Sequence, residues 1–97
     1  MKEKQLLLIF KCLSDSNRLN ILNYLGDGEL CACELLEYLN ISQSTLSYHM
    51  KIMLECGLVK VRQVGKWSYY RINKDVFEDF KSYVNNLKFS NKRRSEC

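Results

Sequence analysis

The hydrophobic pattern of this chain changes its period once, at Gly57. Before that glycine, apolar residues recur three and four positions apart, which is the spacing of amphipathic helices. Directly after it, over residues 58–64, valines alternate with basic and polar residues, which is the period of a half-exposed strand. A chain of 97 residues is long enough for one compact domain and too short for two ordinary ones. The pattern therefore predicts a mainly helical domain that carries a β-hairpin near its end.

Turn and capping residues divide the helical part into four segments. Predicted helices cover residues 3–13, the stretch between the 14–17 turn and Gly26, and about 30–39. Ser42 is predicted to cap the fourth helix, and Gly57 to end it in a left-handed conformation. The core face of that helix is predicted to carry Leu46, Met50, Met53 and Leu54. Strands at 58–64 and 67–72, a turn at 65–66 and a last helix capped by Asn73 complete the order α-α-α-α-β-β-α.

Two short helices joined by a tight turn and followed by a basic hairpin describe a winged helix-turn-helix. We expect this domain to cover residues 1–90 and to serve both DNA binding and dimerisation. Residues 91–97 are predicted to be a flexible basic tail.

Basic residues are concentrated in the second part of the chain. Residues 41–97 hold 11 of the 15 basic residues but only 5 of the 11 acidic ones. A basic half on a small domain suggests a polyanionic partner, with nucleic acid first. No apolar run approaches the length of a membrane-spanning helix, and no signal peptide is recognisable. We therefore expect a bacterial cytoplasmic protein with no membrane partner.

The fourth helix has an uncharged polar face typical of a recognition helix. Such a helix enters the major groove with its N-terminal end, where Gln suits an adenine edge and Ser suits either edge. The hairpin adds basic groups, of which the one at its tip is expected to reach phosphate or the minor groove. The predicted DNA-binding residues are Ser42, Gln43, Ser44, Thr45, Ser47, Tyr48, His49 and Lys51 on the helix, and Arg62, Lys66 and Tyr69 on the wing.

Three stretches of sequence together resemble the ArsR family of bacterial winged-helix metal-sensing repressors. They are residues 10–19 (FKCLSDSNRL), residues 41–51 (ISQSTLSYHMK) followed by GLV at 57–59, and residues 65–72 (GKWSYYRI). The resemblance implies a homodimeric repressor that binds an imperfect palindromic operator in double-stranded DNA and is released by an inducer. It also implies dimerisation through the first and last helices. Two apolar stripes are candidates for this interface, one at residues 6–10 and one at Phe77, Phe80, Val84 and Leu87. The alternative is that both stripes complete the core of the monomer.

Residues 29–35 (ELCACEL) resemble the signature of the family's thiophilic-metal members. This implies no permanent cofactor but an inducing ion held by Cys31 and Cys33, with As(III) or Sb(III) first and Cd(II), Pb(II) or Zn(II) next. Thiolates select soft ions, which agrees with this assignment. On a regular helix, residues i and i+2 point about 200° apart. We therefore expect ion binding to unwind the start of the third helix and so to displace the fourth.

A third sulfur ligand is not obvious from the sequence. Some arsenic-sensing members have another cysteine three residues after the second, where this chain has Leu36. Cys12 is our predicted third ligand, from either subunit. Cys97, Cys56 or an external donor remain alternatives.

Two other functions remain open at this stage. The same repressor could use its thiols to sense oxidants or persulfides. The winged helix could instead be a protein-interaction module without DNA binding. An enzyme is not expected, because the sequence has no phosphate-binding glycine loop, no nucleophile elbow and a single His without a catalytic partner.

Overall fold

The computed structural model describes residues 1–95. Within them, five helices and a three-stranded antiparallel sheet form a winged helix-turn-helix, which confirms the predicted fold class. The elements are α1 (Glu3–Cys12), α2 (Ser16–Leu25), β1 (Leu30–Cys31), α3 (Ala32–Tyr38), α4 (Gln43–Glu55), β2 (Val59–Val64), β3 (Trp67–Ile72) and α5 (Lys74–Asn85).

Strand β1 is the element that the sequence did not predict. Leu30 and Cys31 pair antiparallel with Tyr70 and Tyr69 of β3, so that the sheet order is β1-β3-β2. The third helix consequently starts at Ala32 and not at about residue 30. The predicted order of elements is therefore approximate, because two residues assigned to a helix are extended and hydrogen-bonded to the wing.

The predicted caps at both ends of α4 are confirmed. The Ser42 hydroxyl accepts the Thr45 N–H at 3.1 Å, and Gly57 follows the helix with a φ of +87°. A Cβ at Gly57 would lie only 2.7 Å from the side-chain nitrogen of Gln5, which donates to the Cys56 carbonyl at 3.2 Å. Only glycine tolerates both this backbone conformation and the close approach of α1.

The core is formed where α1, α2, α3 and α4 meet beneath the base of the wing. Leu46, Met50 and Met53 of α4 are buried as predicted, whereas Leu54 is only half-buried. The largest fully buried side chains are Ile9, Ile21, Leu35, Met50, Met53, Leu58 and Cys12. This core fixes α4 so that its opposite face is open to solvent.

The apolar stripes of α1 and α5 serve two environments. Ile9 is fully buried, whereas Leu7 and Phe10 on the same helix are exposed. Phe10 meets Phe80 of α5 edge to face, with ring centroids 5.4 Å apart. On α5, Val84 is exposed, as is Leu87 just beyond the end of the helix. Half of each stripe thus completes the monomer core and half remains as an apolar surface. Within residues 1–95, no helix is both long enough and apolar enough to cross a bilayer.

Candidate functional site

The first two turns of α4 present a polar surface that is largely exposed among residues 1–95. Tyr48 is 61% exposed, and Thr45 is half-buried against the helix. The remaining outward residues are Ser42, Gln43, Ser44, Ser47 and Lys51, all of them exposed. Because α4 has 13 residues and is capped by a side chain at its first turn, these groups are held on a regular helix at defined spacing.

Hydroxyl groups at the start of α4 partly satisfy one another. The Ser42 hydroxyl lies 2.9 Å from the Thr45 hydroxyl and 3.1 Å from the Ser44 hydroxyl. Gln43 and Ser47 lie outside this cluster, on the exposed side of the same turns. These two side chains can therefore contact another molecule while the Ser42 cap of α4 stays intact.

His49 lies inside the protein and not on the outward face. Its side chain is 5% exposed, and its ring nitrogens contact Arg18 at 3.0 Å and Asn17 at 3.4 Å. The prediction that His49 contacts DNA therefore has no support from its position. In this structure the ring connects α4 to the start of α2.

Arg18 is the central residue of that connection, and sequence reasoning assigned it no role. Its Nε donates to the Cys12 carbonyl at 2.6 Å, and its backbone N–H donates to the Asp15 carboxylate at 3.1 Å. Together with the contact to His49, these bonds join the end of α1, the start of α2 and the middle of α4. The sequence offered one signal, which was the position of His49 at the edge of the apolar face of α4. A buried His needs a hydrogen-bonding partner.

Lys66 occupies the tip of the wing, next to Gly65, whose φ of +59° forms the turn. Its side chain is exposed, as predicted for a phosphate-contacting lysine. Trp67 is 50% exposed beside it. The wing tip therefore combines one exposed cation with an exposed aromatic ring.

Arg62 is engaged with the protein itself. It forms a forked pair with Glu29, with nitrogen–oxygen distances from 2.8 to 3.1 Å, and it lies over the Tyr69 ring at 4.5 Å from its centroid. The hydrogen bonds from Arg62 hold the pKa of Glu29 below its usual value. Arg62 and Tyr69, both predicted to contact DNA, thus form a contact that connects the wing to the segment before β1.

The sulfurs of Cys31 and Cys33 meet as a disulfide, and the Cα atoms are 5.4 Å apart. Cys31 is extended, with φ −80° and ψ 161°, and it is the residue just before α3. The Glu34 carboxylate accepts its N–H at 2.9 Å. The expectation that both cysteines lie on a regular helix and diverge by about 200° is therefore wrong. The two sulfurs converge without any unwinding of α3, because one lies at the end of a strand and the other in a helix.

Cys33 also lines a cleft that reaches the α4 surface. This cleft has a volume of about 310 Å³ and lies between α3, the first turns of α4 and the wing. Its lining includes Gln43 and Ser47 of α4 and Lys66 at the wing tip. Cys33 and three of the residues predicted to contact DNA thus border one common space.

Cys12 lies in a different place, where its thiol contacts Cys56. Both are buried, and the Cys56 thiol donates to the Met53 carbonyl at 3.4 Å. The hydrogen bond from Cys12 lowers the pKa of Cys56 to about 7, and the same contact raises the pKa of Cys12. Among residues 1–95, no three Cys, His, Asp or Glu side chains converge in a metal-binding cluster. A role for Cys12 as third ligand to Cys31 and Cys33 stays a prediction, and Cys97 lies outside the described residues.

Comparison with known proteins identifies the family. Residues 15–61 match the family described as "Bacterial regulatory protein, arsR family". The chain is 45% identical to an arsenical resistance operon repressor of Staphylococcus aureus, over 96% of this chain and 89% of the relative. The chain belongs to the ArsR family. It is therefore a DNA-binding transcriptional repressor and not an enzyme.

Two further proteins are similar to this ArsR-family chain. A homolog of a cadmium resistance transcriptional regulatory protein, from Staphylococcus aureus, is 36% identical over 67% of this chain and 54% of the relative. A solution structure from Mycobacterium bovis, described as a homodimeric winged helix-turn-helix DNA-binding domain, superposes with a TM-score of 0.72. It is 29% identical and covers 84% of this chain and 77% of that one.

Proposed function

We propose that this ArsR-family repressor binds a palindromic operator as a homodimer and is released when a soft ion binds Cys31 and Cys33. Arsenite or antimonite is the first candidate inducer, followed by Cd(II), Pb(II) and Zn(II). The observation that carries this proposal is the convergence of the Cys31 and Cys33 sulfurs, where Cys33 lines a cleft shared with Gln43, Ser47 and Lys66.

The donor set suits a thiophilic ion. In reduced form the pair supplies two soft thiolates, which favour As(III), Cd(II) and Pb(II) over hard cations. The nearest carboxylate in sequence, Glu34, is occupied by the N–H of Cys31. A third ligand must come from outside this cluster, and Cys12 of a partner subunit, Cys97 or a small external thiol are the proposed sources.

The inducer signal is proposed to pass through the wing as well as through α3. Cys31 is paired with Tyr69 in the sheet, and Glu29 holds Arg62 of the neighbouring strand. An ion that draws Cys31 and Cys33 into its own coordination geometry therefore shifts the edge of the sheet that carries the wing. If the shifted state binds DNA less well, ion binding and operator binding oppose each other.

The dimer is proposed to form through the apolar surface shared by α1 and α5. A two-fold pair of recognition helices reads two half-sites about one helical turn apart, roughly 34 Å. Exposed apolar residues on both helices, among them Leu7, Phe10 and Val84, leave that surface available for a second copy.

The test is a fluorescence anisotropy titration on the reduced full-length protein. An inverted-repeat duplex selected from a random pool is bound first, and arsenite, antimonite, cadmium, lead and zinc are then added separately. Thiophilic ions are expected to release the duplex and to produce sulfur-to-ion absorption bands. The double variant Cys31→Ser, Cys33→Ser is expected to bind the duplex as the wild type does and to resist release. Normal release of that variant would place the inducer site elsewhere.

An oxidant arm separates the redox alternative from the ion proposal. Cys31 and Cys33 are close enough to be bonded to each other, so oxidation of this pair is chemically accessible. Release by peroxide together with no response to any of the ions would favour the redox function. Titrations at several salt concentrations test the protein-interaction alternative. An affinity for DNA that falls steeply with salt would exclude it.

A further inference from the structure

A second pair of thiols lies on the opposite side of α4 from the Cys33 cleft. Cys12 ends α1 and Cys56 directly follows α4, so the two residues connect the first helix to the recognition helix. They are 1% and 3% exposed, and both line the same cavity between α1 and α4. Neither thiol is used by the proposed ion site in the same chain.

We propose that Cys12 and Cys56 are a redox switch, in which hydrogen peroxide converts the two thiols into a disulfide that weakens operator binding. The pair is separate from Cys31 and Cys33. The proposal adds to the proposed function a second signal that acts on the same recognition helix.

The surroundings of the pair favour a small oxidant. Both cysteines line a cavity of about 290 Å³ between α1 and α4, which Leu8 and Tyr48 also border. Hydrogen peroxide is only slightly larger than water, which takes up about 30 Å³ in the liquid. Arg18 also borders this cavity and brings a positive charge to it, and its Nε donates to the Cys12 carbonyl at 2.6 Å.

The chemistry balances with one peroxide for each pair. The Cys56 thiolate sulfur attacks one peroxide oxygen, the O–O bond breaks, and hydroxide leaves and takes up the proton that Cys56 had lost. The Cys12 sulfur then attacks the sulfenic sulfur, the S–O bond breaks, and the departing hydroxide takes the Cys12 proton. Two thiols lose two electrons in total, and the peroxide is reduced to two waters.

The disulfide would act on α4 by shortening one contact. To form the disulfide, the two sulfurs must approach to a bond length of about 2.0 Å. This movement draws the C-terminal end of α4 toward α1. It also disturbs the Cys12 carbonyl, to which Arg18 donates at 2.6 Å, and Arg18 in turn holds His49 of α4. Both displacements alter the angle at which α4 meets the groove.

The experiment uses the full chain with Cys31→Ser and Cys33→Ser, so that the other thiol pair cannot react. The reduced protein is treated with hydrogen peroxide, blocked with N-ethylmaleimide and digested with trypsin. Cleavage after Lys11, Arg18, Lys51 and Lys60 gives peptides 12–18 and 52–60, each with one cysteine. We expect these peptides to be joined by a reducible bond, with the mass of the joined pair lower by two hydrogens.

The same samples are titrated against the selected duplex. Oxidation is expected to weaken operator binding about ten-fold, which is within the usual range of coupling between two sites. Reduction should restore the affinity, and the additional change Cys56→Ser should abolish both the joined peptides and the loss of affinity. Unjoined peptides, or a joined form that binds the duplex as tightly as the reduced form, would overturn the proposal. The peptide result does not depend on DNA binding, so a failure of the proposed function is recognised separately.

Discussion

Nη1 of Arg18 lies 3.0 Å from Nδ1 of His49, between the first turn of α2 and the middle of α4. An arginine can only donate, so Nδ1 is the acceptor in this contact. Nε2 of the same ring lies 3.4 Å from the side-chain nitrogen of Asn17. The single histidine of the chain therefore fixes the recognition helix to the domain.

Removal of this ring should cost stability. His49→Ala leaves Nη1 of Arg18 without its acceptor and opens a space in the interior. We expect the free energy of unfolding to fall by about 1–3 kcal/mol, measured by urea denaturation followed by circular dichroism. Tyr48→Ala is the matched control, because this neighbour is 61% exposed and should change stability by less than about 0.5 kcal/mol. Equal stability of both variants would show that the Arg18 contact contributes nothing.

Periodicity and capping predicted most of the fold because their causes are local. Ser42 caps α4 through its own hydroxyl, Gly57 ends it with a positive φ, and the second strand of the hairpin covers 67–72 as predicted. The position of His49 was not predictable in this way. Its angle on the helix is borderline, and the residue that decides it, Arg18, lies 31 positions away in sequence.

The geometry of Cys31 and Cys33, the proposed ion ligands, was not predicted from the sequence. The spacing of Cys31 and Cys33 suggested a helix on which the sulfurs diverge. A two-residue strand is too short to produce an alternating pattern, and its hydrogen bonds go to Tyr69 and Tyr70, about 40 residues later. Only this long-range pairing makes Cys31 extended and brings the sulfurs together.

Stability should depend on pH through Asp15, the N-cap of α2. The backbone N–H of Arg18 donates to its carboxylate and holds the pKa of Asp15 below its usual value of 3.8. The charged cap therefore contributes fully to the free energy of unfolding above the pKa that Asp15 has in the unfolded chain. This contribution is lost as the pH falls through the lower pKa of Asp15 in the folded protein. We expect the stability advantage of wild type over Asp15→Asn to shrink as the pH falls below 3.8, in urea denaturation at each pH.

Asp15→Ala distinguishes the cap from the charge. This variant lacks both and should lose about 1 kcal/mol at neutral pH, whereas Asp15→Asn retains a capping oxygen and should lose less. A pH profile that is the same for wild type and Asp15→Asn would contradict a role for the charged carboxylate.

The two wing cations should differ in their effect on DNA binding. Lys66 is exposed at the tip, whereas the Arg62 guanidinium is held by Glu29. Lys66→Ala should weaken binding to all sequences and reduce the slope of log affinity against log salt by about 1. Arg62→Ala should change the slope less, because its charge is already paired.

Glu29→Gln tests the reason for that difference. Loss of the carboxylate frees Arg62 for phosphate, so the salt slope should become steeper than in wild type, as measured by anisotropy at several salt concentrations. Glu29→Gln should also weaken the coupling between ion binding and DNA release, because the Glu29–Arg62 pair connects the cysteine segment to the wing. A wild-type slope in this variant, together with a normal response to the ions, would show that the pair is not part of the transmission.

Specificity should reside in the exposed side chains of α4. Ser47→Ala and Tyr48→Ala should each weaken binding to the selected duplex by about 1–3 kcal/mol if a base contact is lost. Binding to an unrelated duplex of the same length should be nearly unchanged, since the phosphate contacts remain. Ser44→Ala belongs to the hydroxyl cluster at the cap and serves as the comparison within the same helix turn. An equal loss on both duplexes would assign these side chains to the DNA backbone.

Leu6 and Leu7 are neighbours on α1, and their substitution should have different effects. Leu6 is 7% exposed and belongs to the core, whereas Leu7 is 57% exposed on the apolar surface shared with α5. Leu6→Ala should lower the free energy of unfolding by about 2–5 kcal/mol through lost packing.

Leu7→Glu should leave the fold of each chain intact but place a charge in the proposed dimer interface, where a buried unpaired carboxylate is costly. Sedimentation velocity should then show monomers with an unchanged circular dichroism spectrum, and their operator affinity should fall because a single recognition helix reads only one half-site. A Leu7→Glu protein that remains dimeric would move the interface away from α1.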